Sequence, residues 1–283
     1  MEKLCDLHTH STYSDGTYTP AQLICAAQAL GLSAITLSDH NTVAGLPAFL
    51  EAAANTEIEA VPGVEFSTEY EGTELHILGL YIRPCHYDEV NRLLRQFLDR
   101  KEKSNRELVQ RLNGAGIPIS YEAICQKASG SINRARIAAE MVEKGWCESV
   151  KQAFSDWLSP KKGYYIPPQR PDAYETIAFI KSIGGVAVLA HPFLSLDEQS
   201  LRQFLPRAVE AGLDAMEVFY STYDPQTTAL AQSIAAEFDL LPSGGSDFHG
   251  ENKPDISLGS GRGSLKIPLA LLTQLKTRQD LSK

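Results

Sequence analysis

The stretch Leu4-Cys5-Asp6-Leu7-His8-Thr9-His10 begins as a short apolar, β-like run and ends in two histidines two positions apart. In extended chain such residues project to the same side, so both imidazoles can grip one ion. An isolated His-x-His pair is a common accident of sequence. It becomes decisive here because the same event, an apolar run closing on potential metal ligands, recurs along the whole chain.

Working outward, Ala34 to Leu37 runs into Ser38-Asp39-His40-Asn41-Thr42, where Asp39 or Asn41 could cap a helix but His40 has no such use. Val61-Pro62-Gly63-Val64-Glu65-Phe66 holds a carboxylate inside an apolar strand, which is costly unless the charge is paired or metal-bound. Leu75 to Ile82 carries His76, readable as a ligand or as a satisfied core histidine. Val186 to Ala190 ends at His191-Pro192, and Pro192 stops the strand. Leu241 to Ser243 leads into Gly244-Gly245-Ser246-Asp247-Phe248-His249-Gly250, an Asp-x-His pair with the spacing of the first motif. Asp15 lies in a Ser-Asp-Gly turn, and of seven histidines only His86 sits apart.

Counting Ala215 to Phe219, seven strands are expected. Helical stretches separate them at Thr19 to Leu30, with a Thr19 cap, Pro20 in the first turn and Gly31 as the stop, and at 172–184, 197–212 and 225–238. Strands 60–66 and 75–82 should form a hairpin through Glu71-Gly72-Thr73, a local break in β-α alternation. An open doubly wound sheet would give similar local signals. Polar residues at so many strand ends favour a barrel, whose strand-end loops share one face. Between about 99 and 166 the strand signal gives way to helical patterns at Asn133 to Lys144 and Val150 to Leu158. The expected domains are therefore a barrel over 1–98 and 167–283 and an inserted helical cap over 99–166. The Pro- and Gly-rich stretch 159–168 returns the chain to the barrel.

The net charge of −9 argues against a broad basic surface for wrapping nucleic acid, yet a small phosphorylated substrate stays compatible with it. Acids counted in that figure are candidate ligands for divalent cations. Five scattered cysteines without a CxxC pair suggest reduced thiols in the cytoplasm. No apolar run approaches the roughly 18 residues that span a bilayer, and neither secretion nor membrane association is expected. The mixed nitrogen and oxygen ligand set suits Mn, Fe or Zn better than a thiolate zinc site.

Together His8-Thr9-His10, Ser38-Asp39-His40, Glu65, His76, His191 and Asp247-Phe248-His249 resemble the PHP (polymerase and histidinol phosphatase) family. The resemblance implies an α/β fold, a distorted (β/α)7 barrel, and two or three divalent metal ions, Mn2+ foremost with Fe or Zn as alternatives. It implies one ion held by His8, His10, Glu65 and Asp247, a second sharing Glu65 and adding His76 and His191, and a third held by Asp15, His40 and His249. Asn41 stands where many relatives have an aspartate. The inserted region resembles that of the stand-alone branch containing nucleoside 3′,5′-bisphosphate phosphatases and ribonuclease AM. Within it, Ser131-Ile132-Asn133-Arg134-Ala135-Arg136-Ile137 is similar to a cap motif, with Arg136 replacing a histidine.

The expected activity is a phosphatase that removes the 3′-phosphate of nucleoside 3′,5′-bisphosphates by metal-activated water, with 5′-to-3′ trimming of short 5′-phosphorylated RNA as a companion reaction. No catalytic side chain beyond that water and no obligate protein partner are expected. Arg134 and Lys161 are candidates for a second, non-reacting phosphate, although surface lysines are ordinarily just solvated. Tyr164 and Tyr165 could stack a base, or simply pack. Histidinol phosphate or another small phosphomonoester is the alternative substrate, and a non-catalytic metal-binding regulatory module is the alternative of another class.

Overall fold

The computed structural model describes residues 3–127 and 132–279, so Ser131 of the cap motif lies outside them. Seven strands form one sheet in sequence order: β1 (Cys5–Asp6), β2 (Ala34–Leu37), β3 (Glu59–Tyr70), β4 (Thr73–Leu80), β5 (Val186–Leu189), β6 (Ala215–Tyr220) and β7 (Leu241–Gly245). Neighbours pair in parallel except β4, which is antiparallel to both β3 and β5. The sheet nearly closes into a barrel. Leu7 N–H donates to Gly244 O at 3.3 Å, Asp247 N–H to His8 O at 2.9 Å, and His10 N–H to Phe248 O at 2.9 Å. Those bonds join the end of β7 to the end of β1, leaving neither as a free edge there.

The β3–β4 hairpin explains the exception. Glu71 and Gly72 both take positive φ, 48° and 78°, and Tyr70 pairs with Thr73, which makes a two-residue turn. So tight a turn carries β3 four residues past the end expected from its apolar run. Alternation then sorts the β3 side chains. Phe66 points outward to meet Phe179 edge-on at 6.4 Å, and Glu65 points to the inner face. Below it on that face Val61 and Leu78 join Val188 and Ala215 in an apolar cluster.

Helix α1 (Pro20–Ala29) starts on a capping box: Gln22 N–H donates to Thr19 Oγ1 at 3.2 Å, and Thr19 N–H to Gln22 Oε1 at 2.8 Å. Gly31, at φ 71°, ends it as expected. The short α2 (Leu46–Ala53), which no sequence signal marked, buries Leu46, Phe49 and Ala53.

The described chain divides into two compact units, one running to Asn91 and resuming at Arg170, the other Arg92–Gln169. The first junction falls inside α3 (Tyr87–Gly114), a continuous helix, so no turn residue marks it. The 92–169 unit also contains α4 (Tyr121–Lys127), α5 (Arg134–Glu143) and α6 (Val150–Ala153), the last continued by a π-helical turn over Phe154–Leu158. Its own core gathers Leu108, Leu112, Ile137, Met141 and Leu158.

In the barrel unit, α7 (Ala173–Ser182), α8 (Glu198–Glu210) and α9 (Pro225–Glu237) each begin on an aspartate, Asp172, Asp197 and Asp224, whose side chain accepts first-turn N–H groups. Helix α10 (Leu269–Lys276) follows β7. Among the described residues no helix is long and apolar enough to cross a membrane.

Candidate metal centre

Glu65 is fully buried on the inner face of β3, and five imidazoles face its two oxygens. Oε1 lies 2.7 Å from His76 Nδ1 and 3.2 Å from His191 Nε2. Oε2 lies 3.2 Å from His8 Nε2, 3.1 Å from His10 Nε2 and 3.1 Å from His40 Nδ1. The hairpin register accounts for His76: it pairs with Ser67 while Glu65 pairs with Leu78, so Glu65 and His76 are diagonal neighbours on one face.

A second carboxylate, Asp247, turns Oδ1 toward the same space, 3.6 Å from His8 Nε2, 3.3 Å from His10 Nε2 and 3.3 Å from His249 Nδ1. Asp15 completes the ring, with Oδ1 3.2 Å from His249 Nε2 and Oδ2 3.9 Å from His40 Nε2. All nine expected ligands thus gather at one end of the barrel. Four ligand groupings result: His10 with Asp15, His40 and His249; His8 with Glu65 and His191; His8 and His10 with Asp247; and His40 with Glu65 and His76.

The backbone is bent to present them. His191 at φ 29°, Asp247 at φ 57° and Asn41 at φ 53° all leave the usual region for residues with a Cβ, and each sits where a strand has just ended. Asn41 takes no part in the ligand ring. Its amide ties the loop to β3, donating from Nδ2 to Ser67 Oγ at 2.8 Å and accepting Ser67 N–H at 3.0 Å. Asp39 likewise braces rather than caps a helix, accepting from Ser11 N–H and from the hydroxyls of Ser11 and Ser14. Gly245 allows β7 to lie against β1: a Cβ there would sit 2.1 Å from His8 Cβ.

Burial opposes charge on Glu65, His10, His40 and His76. On Glu65 that effect is outweighed by the imidazoles of His40, His8 and His76, which hold its carboxyl well below the usual range. Burial likewise disfavours protonated His76 and His10, yet carboxylate neighbours push them up to about 10 and about 9. Burial wins at His40, which falls to about 3.

Whether the donors suit cations can be judged from their aim. Glu65 Oε2 and the Nδ1 atoms of His10, His40 and His76 are buried yet make no properly oriented hydrogen bond, although His40 Nδ1 and His76 Nδ1 lie 3.1 and 2.7 Å from the Glu65 oxygens. Groups directed at each other would align. These converge on shared points, as ligands of ions do, and hard carboxylates with imidazoles suit divalent metals.

The site also uses residues that sequence reading passed over. Glu217, the inward residue of β6, accepts from His8 Nδ1 at 2.9 Å through Oε1 and from His191 N–H at 2.7 Å through Oε2. Tyr220 and Lys253 both donate to Asp247 Oδ2, at 2.7 and 2.6 Å. At the root, Asp6 accepts from Ser246 N–H and hydroxyl and from Gly259 N–H, pinning the end of β1 to the loop after β7. The signal for Glu217 was available, since a carboxylate in Ala215-Met216-Glu217-Val218-Phe219 is the pattern that singled out Glu65.

Residues 6–170 match the model of the PHP domain. The chain belongs to the PHP domain family. Two curated relatives align over most of it: a 5′-3′ exoribonuclease of Haemophilus influenzae, 34% identical across 88% of this chain and 91% of its own, and a 3′,5′-nucleoside bisphosphate phosphatase of Chromobacterium violaceum, 28% identical across 89% and 90%. A solved structure from Bifidobacterium adolescentis, assigned as a metal-dependent phosphoesterase, superposes with a TM-score of 0.86 at 30% identity, covering 99% of this chain and 98% of the other. The PHP barrel described here is thus that of a phosphoric ester hydrolase that depends on metal.

Arg134 and Lys161 both lie in the 92–169 unit. The Arg134 guanidinium stacks on the Tyr165 ring at 4.3 Å and donates to Leu158 O at 3.4 Å. Lys161 is exposed in a single 3₁₀ turn over Pro160–Lys162. Tyr165 is buried in the core of that unit and Tyr164 packs against Trp157 at 5.3 Å.

Proposed function

We infer that His8, His10, Asp15, His40, Glu65, His76, His191, Asp247 and His249 hold two or three divalent ions, Mn2+ in the working enzyme, and that the site hydrolyses the P–O3′ bond of a nucleotide carrying a 5′-phosphate. The observation that carries the metal reading is the Glu65 carboxylate, one oxygen facing His76 and His191, the other His8, His10 and His40. Both oxygens of a carboxylate so placed would be available to hold divalent cations together with these imidazoles. Bound cations supply an ionised water as nucleophile and offset charge on the phosphoryl oxygens.

The chain's own part is positioning. Glu217 fixes the His8 ring with its Nδ1–H committed, leaving Nε2 for the ion, and buried Tyr220 holds Asp247 so that Oδ1 faces inward. Arg134 and Lys161 are the proposed clamp for the phosphate that does not react, their fixed positive charge suiting a dianion.

Similarity to an exoribonuclease over 88% of the chain and to a bisphosphate phosphatase over 89% supports the substrate class. A nucleoside 3′,5′-bisphosphate and a short 5′-phosphorylated RNA both present a 5′-phosphate and a 3′-phosphoester, so a single P–O3′ cleavage serves both. Five unpaired cysteines fit a reducing compartment. The test is a screen of Mn2+-loaded protein against adenosine 3′,5′-bisphosphate, short 5′-phosphorylated RNA, adenosine monophosphates and histidinol phosphate. Fastest release from the first two is expected, and a preference for histidinol phosphate would overturn the substrate. A regulatory module would bind metal yet turn over nothing, with turnover unchanged from the parent in His8→Ala and Asp247→Ala proteins.

A further inference from the structure

Lys253 stands beside the candidate metal centre, its ammonium on Asp247. Its backbone is fixed by the preceding turn, in which Asn252 Nδ2 donates to Asp15 O at 2.6 Å and Glu251 N–H to Thr17 Oγ1 at 3.0 Å. Its ammonium donates to Asp247 Oδ2 at 2.6 Å and lies within electrostatic reach of Glu65 and Asp15. It is thus one carboxylate away from the candidate ligand oxygen, Asp247 Oδ1.

Anchoring Asp247 does not account for this lysine. Buried Tyr220 already donates to Oδ2 at 2.7 Å, so that oxygen has a hydrogen-bond partner without the lysine. An ammonium has three N–H donors, and the Lys253 side chain is 39% exposed, so donors not spent on Asp247 remain open to a ligand. We propose that Lys253 is a substrate-binding residue, anchored by one N–H on Asp247 and donating another to an oxygen of the phosphate undergoing attack.

The inference rests on the metal centre proposed above, and its test reads binding without turnover. Mn2+ and then inorganic phosphate are titrated calorimetrically into the full chain, its Lys253→Met and Lys253→Gln variants, and Lys253→Arg as the conservative replacement. Both neutral variants should bind Mn2+ with parental stoichiometry and no loss of affinity, while the Kd for phosphate rises about tenfold, the loss of one charge-assisted hydrogen bond. Lys253→Arg should recover much of that loss. Weaker Mn2+ binding with unchanged phosphate affinity would reduce Lys253 to a tether for Asp247. Unchanged binding of both, or no phosphate binding by the metal-loaded parent, would also overturn the proposal. A parent that binds phosphate but fails to cleave the bisphosphate would sink the substrate reading alone.

Discussion

His8 Nδ1 lies 2.9 Å from Glu217 Oε1, and both side chains are fully buried. The pairing turns the opposite ring nitrogen toward Glu65 and fixes the tautomer that a metal-binding imidazole needs. The other Glu217 oxygen accepts His191 N–H, so one carboxylate orients a side chain from β1 and the strained backbone after β5. Glu217→Gln keeps the shape but replaces one acceptor oxygen with an amide donor, which cannot serve both partners. Metal affinity should fall about 10- to 100-fold. Calorimetric Mn2+ titration checks this, and parental affinity would show that His8 needs no such support.

Among the described residues Glu65 alone is shared by five imidazoles, so its charge cannot be replaced from elsewhere in the ring. Glu65→Gln should cost the protein at least one bound ion and reduce kcat/KM by roughly 10²–10³-fold, the scale of losing a main electrostatic element of a hydrolytic site. Metal analysis by mass spectrometry and steady-state assays on the same preparation would show whether the two losses travel together.

Imidazoles bind cations only when neutral, and His10 and His76 are pushed up to about 9 and about 10 in the metal-free centre. Both therefore carry protons at neutral pH, and an incoming ion must displace them. The sign follows: metal affinity rises with pH, by about one decade per unit for each proton that must leave, and the dependence flattens once these imidazoles are neutral. Calorimetry in buffers of differing ionisation enthalpy counts the protons released, and a count near zero at pH 7 would contradict it.

The sequence was most readable where chemistry sat at the end of an apolar run. His8-Thr9-His10, His191-Pro192 and Asp247-Phe248-His249 each break a strand with groups that have no structural use there, and Glu65 violates the apolar pattern around it. Glu217 breaks the same rule within β6, as an interior carboxylate like Glu65, and was as legible by that rule. Lys253 was illegible: between Asn252 and Pro254 a lysine reads as solvated surface, and only its distance to Asp247 gives it meaning. Helix α2, eight residues beginning Leu46-Pro47, is held by the burial of Leu46 and Phe49 rather than by its own length.

Gly245 ties the fold to the site most directly. A Cβ there would come within 2.1 Å of His8 Cβ and 2.6 Å of His8 N, contacts that neither backbone can relieve without moving β7 from β1. Gly245→Ala should therefore destabilise by about 1–3 kcal/mol, lowering Tm by several degrees. Because the segment that shifts carries His8 while the other leads to Asp247, the metal ligands should separate as well. A displacement near 1 Å can cost on the order of 10²-fold in kcat/KM. Gly72→Ala is the control: its φ of 78° strains any residue with a Cβ, but nothing lies within 4 Å and the hairpin turn touches no ligand. That variant should lose about 1 kcal/mol and keep its metal affinity. Equal losses of metal affinity in the two proteins would mean that stability alone, and not the approach of β7 to His8, sets the geometry of the centre.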